Sequence, residues 1–227
     1  MHIIGVQGGY GNGKTFTSVV KAHQWAAASG AKLFANFPLR GAYLFDHYTD
    51  WYRVADVHGS VIIFDESQTN FDSRTWGANG QIIMTQVINY VRKLNSLIMF
   101  VLPSFQNVDT RIRQITDVLI DCHKSRSGTI VNYVYDFQDK QYGDKGRLLN
   151  TWAMPKAAQK KVHDLKLYST HSMVHKFPTP PPNKVDGFFK ELDKRHQAAL
   201  ERHYGKQYLT IETLDKEELN IYEYAAM

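Results

Sequence analysis

The stretch Gly8-Gly9-Tyr10-Gly11-Asn12-Gly13-Lys14-Thr15 decides how this chain folds. It fills the pattern G-x-x-x-x-G-K-[ST] completely, between an apolar run, Ile3 to Val6, and a segment of helical character, Lys14 to Ser29. Strand, glycine-rich loop and helix in that order make a cradle for phosphates. Glycines let successive backbone N–H groups curl around an anion, and the helix N-terminus adds the positive end of its dipole. In such a cradle Lys14 reaches the β- and γ-phosphates of a nucleotide and the Thr15 hydroxyl ligates Mg²⁺. Average composition gives a chance match on the order of one per cent per chain of this length. The flanking strand and helix make chance a poorer explanation still.

Working outward, Val61-Ile62-Ile63-Phe64-Asp65-Glu66 supplies the expected partner. A continuous apolar run of this kind predicts a strand buried on both faces. Such a strand carries Asp65 to the phosphate end of a parallel sheet, where a carboxylate holds Mg²⁺ through water. Glu66 is placed to polarise an attacking water as a general base, which favours hydrolysis over transfer to a small acceptor. Leu97 to Leu102 predicts another buried strand, and the polar residues after it, Ser104 and Gln106, fall where a γ-phosphate is sensed or water is oriented. Arg92, Arg111 and Arg113 are three candidates for an arginine finger, which stabilises transition-state charge on the phosphates.

The remaining pattern fits a mainly parallel α/β sheet. Lys32 to Ala35 and Val118 to Cys122 read as strands, Gln81 to Lys93 and Val108 to Thr116 as helices, and residues 67–80 as a loop, while 40–58 carry no clear period. Thr129 to Phe137 and Arg147 to Met154 flank Gly143-Asp144-Lys145-Gly146 and predict an antiparallel edge. Pro178 and Pro180 to Pro182 mark a stiff link, and Val185 to Tyr204 an amphipathic helix beyond it. The expected organisation is an ATPase core with its antiparallel edge over 1–155 and a C-terminal appendage over 156–227, with the proline-rich link near 178–182.

Composition narrows the class. The chain has 227 residues, 43% hydrophobic and 22% charged, which suits a globular protein rather than a disordered one. Its longest aliphatic or aromatic run is the six residues Leu97 to Leu102, far short of the roughly 20 a membrane helix needs. The start, Met-His-Ile-Ile-Gly, lacks the regions of a signal peptide, and the single Cys122 excludes an internal disulfide. The expected setting is intracellular. Ten histidines without metal spacing such as H-E-x-x-H predict no zinc site. The net charge of +5 is mild, but Lys156, Lys160, Lys161, Lys166 and Lys176 crowd a stretch whose one acid is Asp164, and Glu212 to Glu223 is acidic. That stretch is either a solvated face or a contact for phosphates.

These features resemble the FtsK/HerA superfamily of P-loop ATPases, and within it the viral branch: genome-packaging ATPases of membrane-containing icosahedral phages (tectivirus-like) and the Zot-like assembly proteins of filamentous phages. The resemblance rests on Gly8 to Thr15, on Asn36 followed by Phe37-Pro38-Leu39, and on Val61 to Glu66. It continues in Tyr90-Val91-Arg92, Gln106, Val108 to Arg113 and the later Leu167-Tyr168-Ser169-Thr170. It implies a RecA-like fold, ATP held by Gly8 to Thr15, Mg²⁺ served by Thr15 and Asp65, water served by Glu66, Gln106 as the polar sensor and Arg92 as the finger reaching a neighbouring subunit. The family works as rings, usually hexamers, around DNA. Zot-like proteins carry a membrane segment after the ATPase domain, and the lack of a long apolar run here favours a packaging motor. The expectation is therefore an ATP-driven DNA translocase that fills a preformed capsid, in the host cytoplasm or at a capsid vertex with capsid or membrane-vertex proteins as partners. Two others stand beside it: a Zot-like ATPase extruding phage at a membrane, and a small-molecule kinase or nucleotide switch.

Overall fold

The computed structural model describes residues 2–67, 78–108 and 110–205. The apolar runs become strands of one sheet: β1 Ile3–Gln7, β2 Lys32–Ala35, β3 Ala42–Leu44, β4 Ser60–Phe64, β5 Ser96–Leu102, β6 Val118–Lys124, β7 Ile130–Asp136 and β8 Arg147–Met154. The helices are α1 Lys14–Ser29, α2 Asp50–Asp56, α3 Ala78–Lys93, α4 Thr110–Ile115, α5 Lys156–Asp164 and α6 Val185–Tyr204. The eight strands lie in the order β3-β2-β4-β5-β1-β6-β7-β8. From β3 to β6 every pair is parallel, and β7 and β8 complete the sheet antiparallel. β5 thus separates β1, which leads into the phosphate loop, from β4, which ends at Asp65.

Why these runs form central strands is visible in which way their side chains face. Alternation of period two sends Ile3, Ile62, Phe64, Ile98, Phe100 and Leu102 into one core layer, and Ile4, Val6, Val61, Ile63, Met99 and Val101 into the other. Neither face meets water, so both positions of each strand are apolar. α1 covers the second layer through Val19 and Ala22. α2, α3 and α6 cover the first, through Trp51 and Val54, Val87 and Val91, and Phe188 and Leu192. Each large apolar side chain buried this way stabilises the fold by about 1.5–3 kcal/mol. No helix among the described residues is long and apolar enough to cross a membrane.

The sequence differs from the structure chiefly where order comes from distant contacts. Residues 40–58, which show no period, hold β3 and α2; Trp51 and Val54 of α2 are fully buried among residues far away in the chain. Lys156–Asp164, read only as a basic stretch, is a helix. α3 begins at Ala78 rather than Gln81, and β6 runs two residues further, to Lys124. Most of the 67–80 loop, Asp109 and the acidic Glu212 to Glu223 lie outside the described residues.

The chain beyond 155 packs on the sheet. Phe177 lies 4.6 Å from Phe64 and 5.8 Å from Trp51, ring to ring, and Trp51 Nε1–H donates to the Pro178 carbonyl at 3.2 Å. Phe177→Ala is therefore expected to cost about 3–5 kcal/mol, seen as a lower urea midpoint. A wild-type midpoint would mean that this segment adds nothing to the core.

Candidate nucleotide site

The carboxyl ends of β1 and β4 and the start of α1 meet at one cleft of about 500 Å³, lined by Tyr10, Gly11, Lys14, Thr15, Asp65 and Glu66 among others. Its floor is the phosphate loop, and the sequence dictates the loop's shape at two glycines. Gly13 sits at φ +85°, and a Cβ there would stand 2.5 Å from Ile130 of β7. Gly8, at φ +151°, has the Cys122 carbonyl of β6 where a Cβ would go. A side chain at either position would push the loop off its neighbouring strand. Gly8 N–H donates to the Pro103 carbonyl at 3.2 Å, tying the loop to the end of β5. Cys122 is buried, and burial pushes its thiol up to about 12, so it stays neutral beneath the loop.

The two motifs of the sequence touch. Thr15 Oγ1 donates to Asp65 Oδ2 at 2.7 Å across the cleft floor. Asp65 is only 7% exposed. Burial raises its pKa above the ordinary carboxylate value, against the pull of the Thr15 hydroxyl, the Glu66 N–H and the Lys14 charge, while the Glu66 charge raises it further. A hydroxyl and a carboxylate converging in this way are the oxygen donors that a hard cation takes, so Thr15 and Asp65 fit Mg²⁺. Lys14 Nζ donates to the Gly9 carbonyl at 3.2 Å and lies 5.5 Å from the centre of the exposed Tyr10 ring. Glu66 is exposed at the mouth, in the left-handed region at φ +50°, and its N–H donates to Asp65 Oδ1 at 2.8 Å. For a glutamate that backbone is strained, and such strain concentrates at functional sites.

Asn36 positions Asp65, a role legible only in three dimensions. Its fully buried side chain accepts the Asp65 N–H on Oδ1 at 2.8 Å, and Nδ2 donates to the Asp65 carbonyl at 3.0 Å and to the His175 carbonyl at 2.7 Å. The Asn36 carbonyl in turn accepts the His175 N–H at 2.7 Å. Residues 165–175 are thereby strapped across the cleft. Arg40 N–H donates to the Leu167 carbonyl at 2.8 Å, and Leu39 forms an antiparallel bridge with Tyr168. Tyr168 lines the cleft, and burial, with the nearby Asp65 charge, pushes its phenol up to about 12, so it remains a neutral donor. The run Leu167 to Thr170 stands out in the sequence, but only the fold brings it to the phosphate loop.

Three other expected residues lie elsewhere. Gln106 is exposed in the single turn Phe105–Asn107 after β5. It lines a larger cavity of about 970 Å³ on the other side of the loop, shared with Gly8, Gly9, Arg113 and Lys145. Arg92 is exposed in the last turn of α3 and faces His2 and Asp117 at the amino ends of β1 and β6, away from its own chain's phosphate loop. Arg113 donates to Thr110 Oγ1 at 3.0 Å and lines that larger cavity, not the cleft.

The family model described as Zonular occludens toxin (Zot) matches residues 39–172, more than half of the chain. Among solved structures, the N-terminal domain of zonular occludens toxin from Neisseria meningitidis is similar at 17% identity and a TM-score of 0.50, over 74% of this chain and 98% of that one. The genome packaging NTPase B204 from Sulfolobus turreted icosahedral virus 2, in complex with ATP-gammaS, is similar at 11% identity and a TM-score of 0.45, over 68% of this chain and 97% of that one. No curated protein matches the sequence.

The buried Asp65 carboxylate gives a direct test. Its raised folded pKa means that the ionised form costs stability at neutral pH, and that the cost is relieved as pH falls. Asp65→Asn removes the charge, so without nucleotide or metal the variant is expected to be more stable by about 1 kcal/mol at pH 7, with the gain shrinking towards acid pH. Calorimetry across pH checks this; a lower melting temperature at pH 7 would mean that the charge is already compensated.

Proposed function

The chain belongs to the zonular occludens toxin (Zot) family, and on that premise we propose that it is an ATP-hydrolysing motor that moves DNA during the assembly of a phage particle. The observation that carries the ATPase reading is the 2.7 Å contact between Thr15 and Asp65, which joins the phosphate loop to the end of β4. Thr15 and Asp65 would hold Mg²⁺, which when bound would neutralise charge on the β- and γ-phosphates. The chain's own groups account for the rest. Backbone N–H groups of Gly11 to Thr15 bind the phosphates, and Lys14 leaves the Gly9 carbonyl to reach them. Glu66 takes a proton from the attacking water as its oxygen bonds the γ-phosphorus and the bond to the β,γ-bridging oxygen breaks. Tyr168 donates from the strap, which also limits water in the cleft.

The DNA part of the proposal is supported by α5. Lys156, Lys160, Lys161 and, just beyond, Lys166 are all exposed beside the cleft, and Lys124 lines it. We place the phosphate backbone on these lysines, with subunits assembled as a ring, a hexamer by the resemblance, and with Arg92 acting on the next subunit's nucleotide; its distance from its own loop supports a role in trans. Packaging into a preformed capsid, in the host cytoplasm or at a vertex with capsid or membrane-vertex proteins, is the reading we favour. The family match itself favours a second one, a motor that drives phage extrusion at a membrane through partners.

ATPase assays with and without duplex DNA test the function. DNA is expected to stimulate turnover; a rate indifferent to DNA would favour the extrusion reading. Lys14→Ala is expected to lose ATP binding, whereas Glu66→Gln is expected to bind ATP and lose turnover by about 10²–10⁴-fold. Equal ATP affinity in Lys14→Ala and wild type, or rapid turnover by Glu66→Gln, contradicts the assignment.

DNA affinity should be indifferent to sequence and fall steeply with salt, as released counterions dictate. Replacing Lys156, Lys160, Lys161 and Lys166 by alanine is expected to flatten the salt slope by roughly one unit per lysine. An unchanged affinity and slope would make these lysines a solvated face only.

A further inference from the structure

α5 meets the cleft along one edge and solvent along the rest. Gln159 and His163, one turn apart, line the same cleft as Lys14 and Thr15; Lys156, seven residues before His163, shares that side, and Lys160 and Lys161 turn progressively away from it into solvent. The His163 ring lies 5.0 Å from that of Phe16, the residue directly after Thr15. Phe16 packs on Ile130 and Met154, so this end of the cleft is apolar and aromatic, whereas Asp65 and Glu66 make the other end acidic and oxygen-rich. A nucleotide whose phosphates and metal take the Lys14–Thr15–Asp65 end leaves its nucleoside to the Phe16–His163 end, where a base has rings to pack against.

The helix is lightly held. None of its residues is fully buried. Its start is fixed by Gln159 Nε2, which donates to the Gly128 carbonyl at 2.9 Å and the Met154 carbonyl at 2.7 Å. Its end turns at Lys166, in the left-handed region at φ +49°, and is held by Arg40, whose guanidinium donates to the Leu165 carbonyl at 3.0 Å. Elements with few buried contacts are those that shift at low cost. Arg40 and Asn36 belong to the same short connection after β2, so the helix end and Asp65 share one support.

We propose that α5 couples the two ligands: His163 packs against the nucleoside of bound ATP at the cleft edge of the helix, the DNA backbone lies on Lys160 and Lys161 where the helix turns to solvent, and each ligand tightens the other by fixing the same helix. This inference rests on the ATP-driven DNA motor proposed above. Coupling of this kind is reciprocal, so DNA must raise nucleotide affinity by the factor by which nucleotide raises DNA affinity.

The test is the affinity of the full chain for a non-hydrolysable ATP analogue with Mg²⁺, measured without DNA and with a saturating mixed-sequence duplex. Wild type is expected to bind the analogue about 5–150-fold more tightly with DNA. His163→Ala should bring that ratio to one, and His163→Phe, which keeps a ring, should retain it. The ring is exposed, so truncation spares the fold, and a circular dichroism melt verifies this. His163→Ala with a wild-type ratio overturns the coupling while leaving the motor intact, as does a wild-type ratio of one in a chain that binds both ligands. Failure of wild type to bind the analogue or the duplex overturns the underlying motor and the coupling with it.

Discussion

A buried carboxylate organises this molecule. Asp65 has left water at the end of a strand that is buried along its whole length, and the ionised form of such a group is tolerated only where donors surround it. The Thr15 hydroxyl, the Glu66 N–H and the nearby Lys14 charge provide them from three directions. The rest of the site follows from holding Asp65 there. Asn36 grips its backbone from β2, and the strap carrying His175 grips Asn36. An amide that loses such buried partners costs about 1–3 kcal/mol, so the network fixes position as well as composition.

The second half of the chain completes what the first half begins. β7 supplies Ile130, against which Gly13 must remain a glycine, and β8 supplies Met154, which holds α5 through Gln159. The strap then returns to the core at Phe177 among Trp51, Phe64 and Phe100. The cleft is therefore bounded on one side by residues 10–16 and on the other by residues 159–174. This arrangement puts the basic helix α5 at the edge of the nucleotide cleft, through Gln159 and His163, as the proposed motor requires.

The sequence read well where the physics is local. The phosphate loop needs glycine at fixed positions and a strand and helix on either side, so α1 was legible to the residue and β1 to within one, and the long amphipathic α6 was legible in full. Central strands were legible because burial on both faces leaves continuous apolar runs. α2 was not legible, since Asp50–Asp56 spans only two turns and is held by Trp51 packing against residues over a hundred positions away. Asn36 was marked only through the resemblance, without a role, and His163 not at all: an asparagine after a strand and a histidine among lysines look ordinary until partners 29 and 139 residues from Asn36, and the ring of Phe16 beside His163, are brought together. Gln106 shows the opposite case. Its place after β5 was legible, but the side of the loop it faces depends on how the turn at Phe105 packs, through its N–H to Gln7 Oε1 at 2.9 Å.

The most direct test of the account is an experimental structure of the complex with Mg²⁺ and a non-hydrolysable ATP analogue. The account requires the phosphates in the loop from Gly8 to Thr15, the metal between Thr15 and Asp65, and Asn36 still paired with the Asp65 backbone. Phosphates seated instead in the larger cavity beside Gln106 and Lys145, or a metal held away from Asp65, would contradict it.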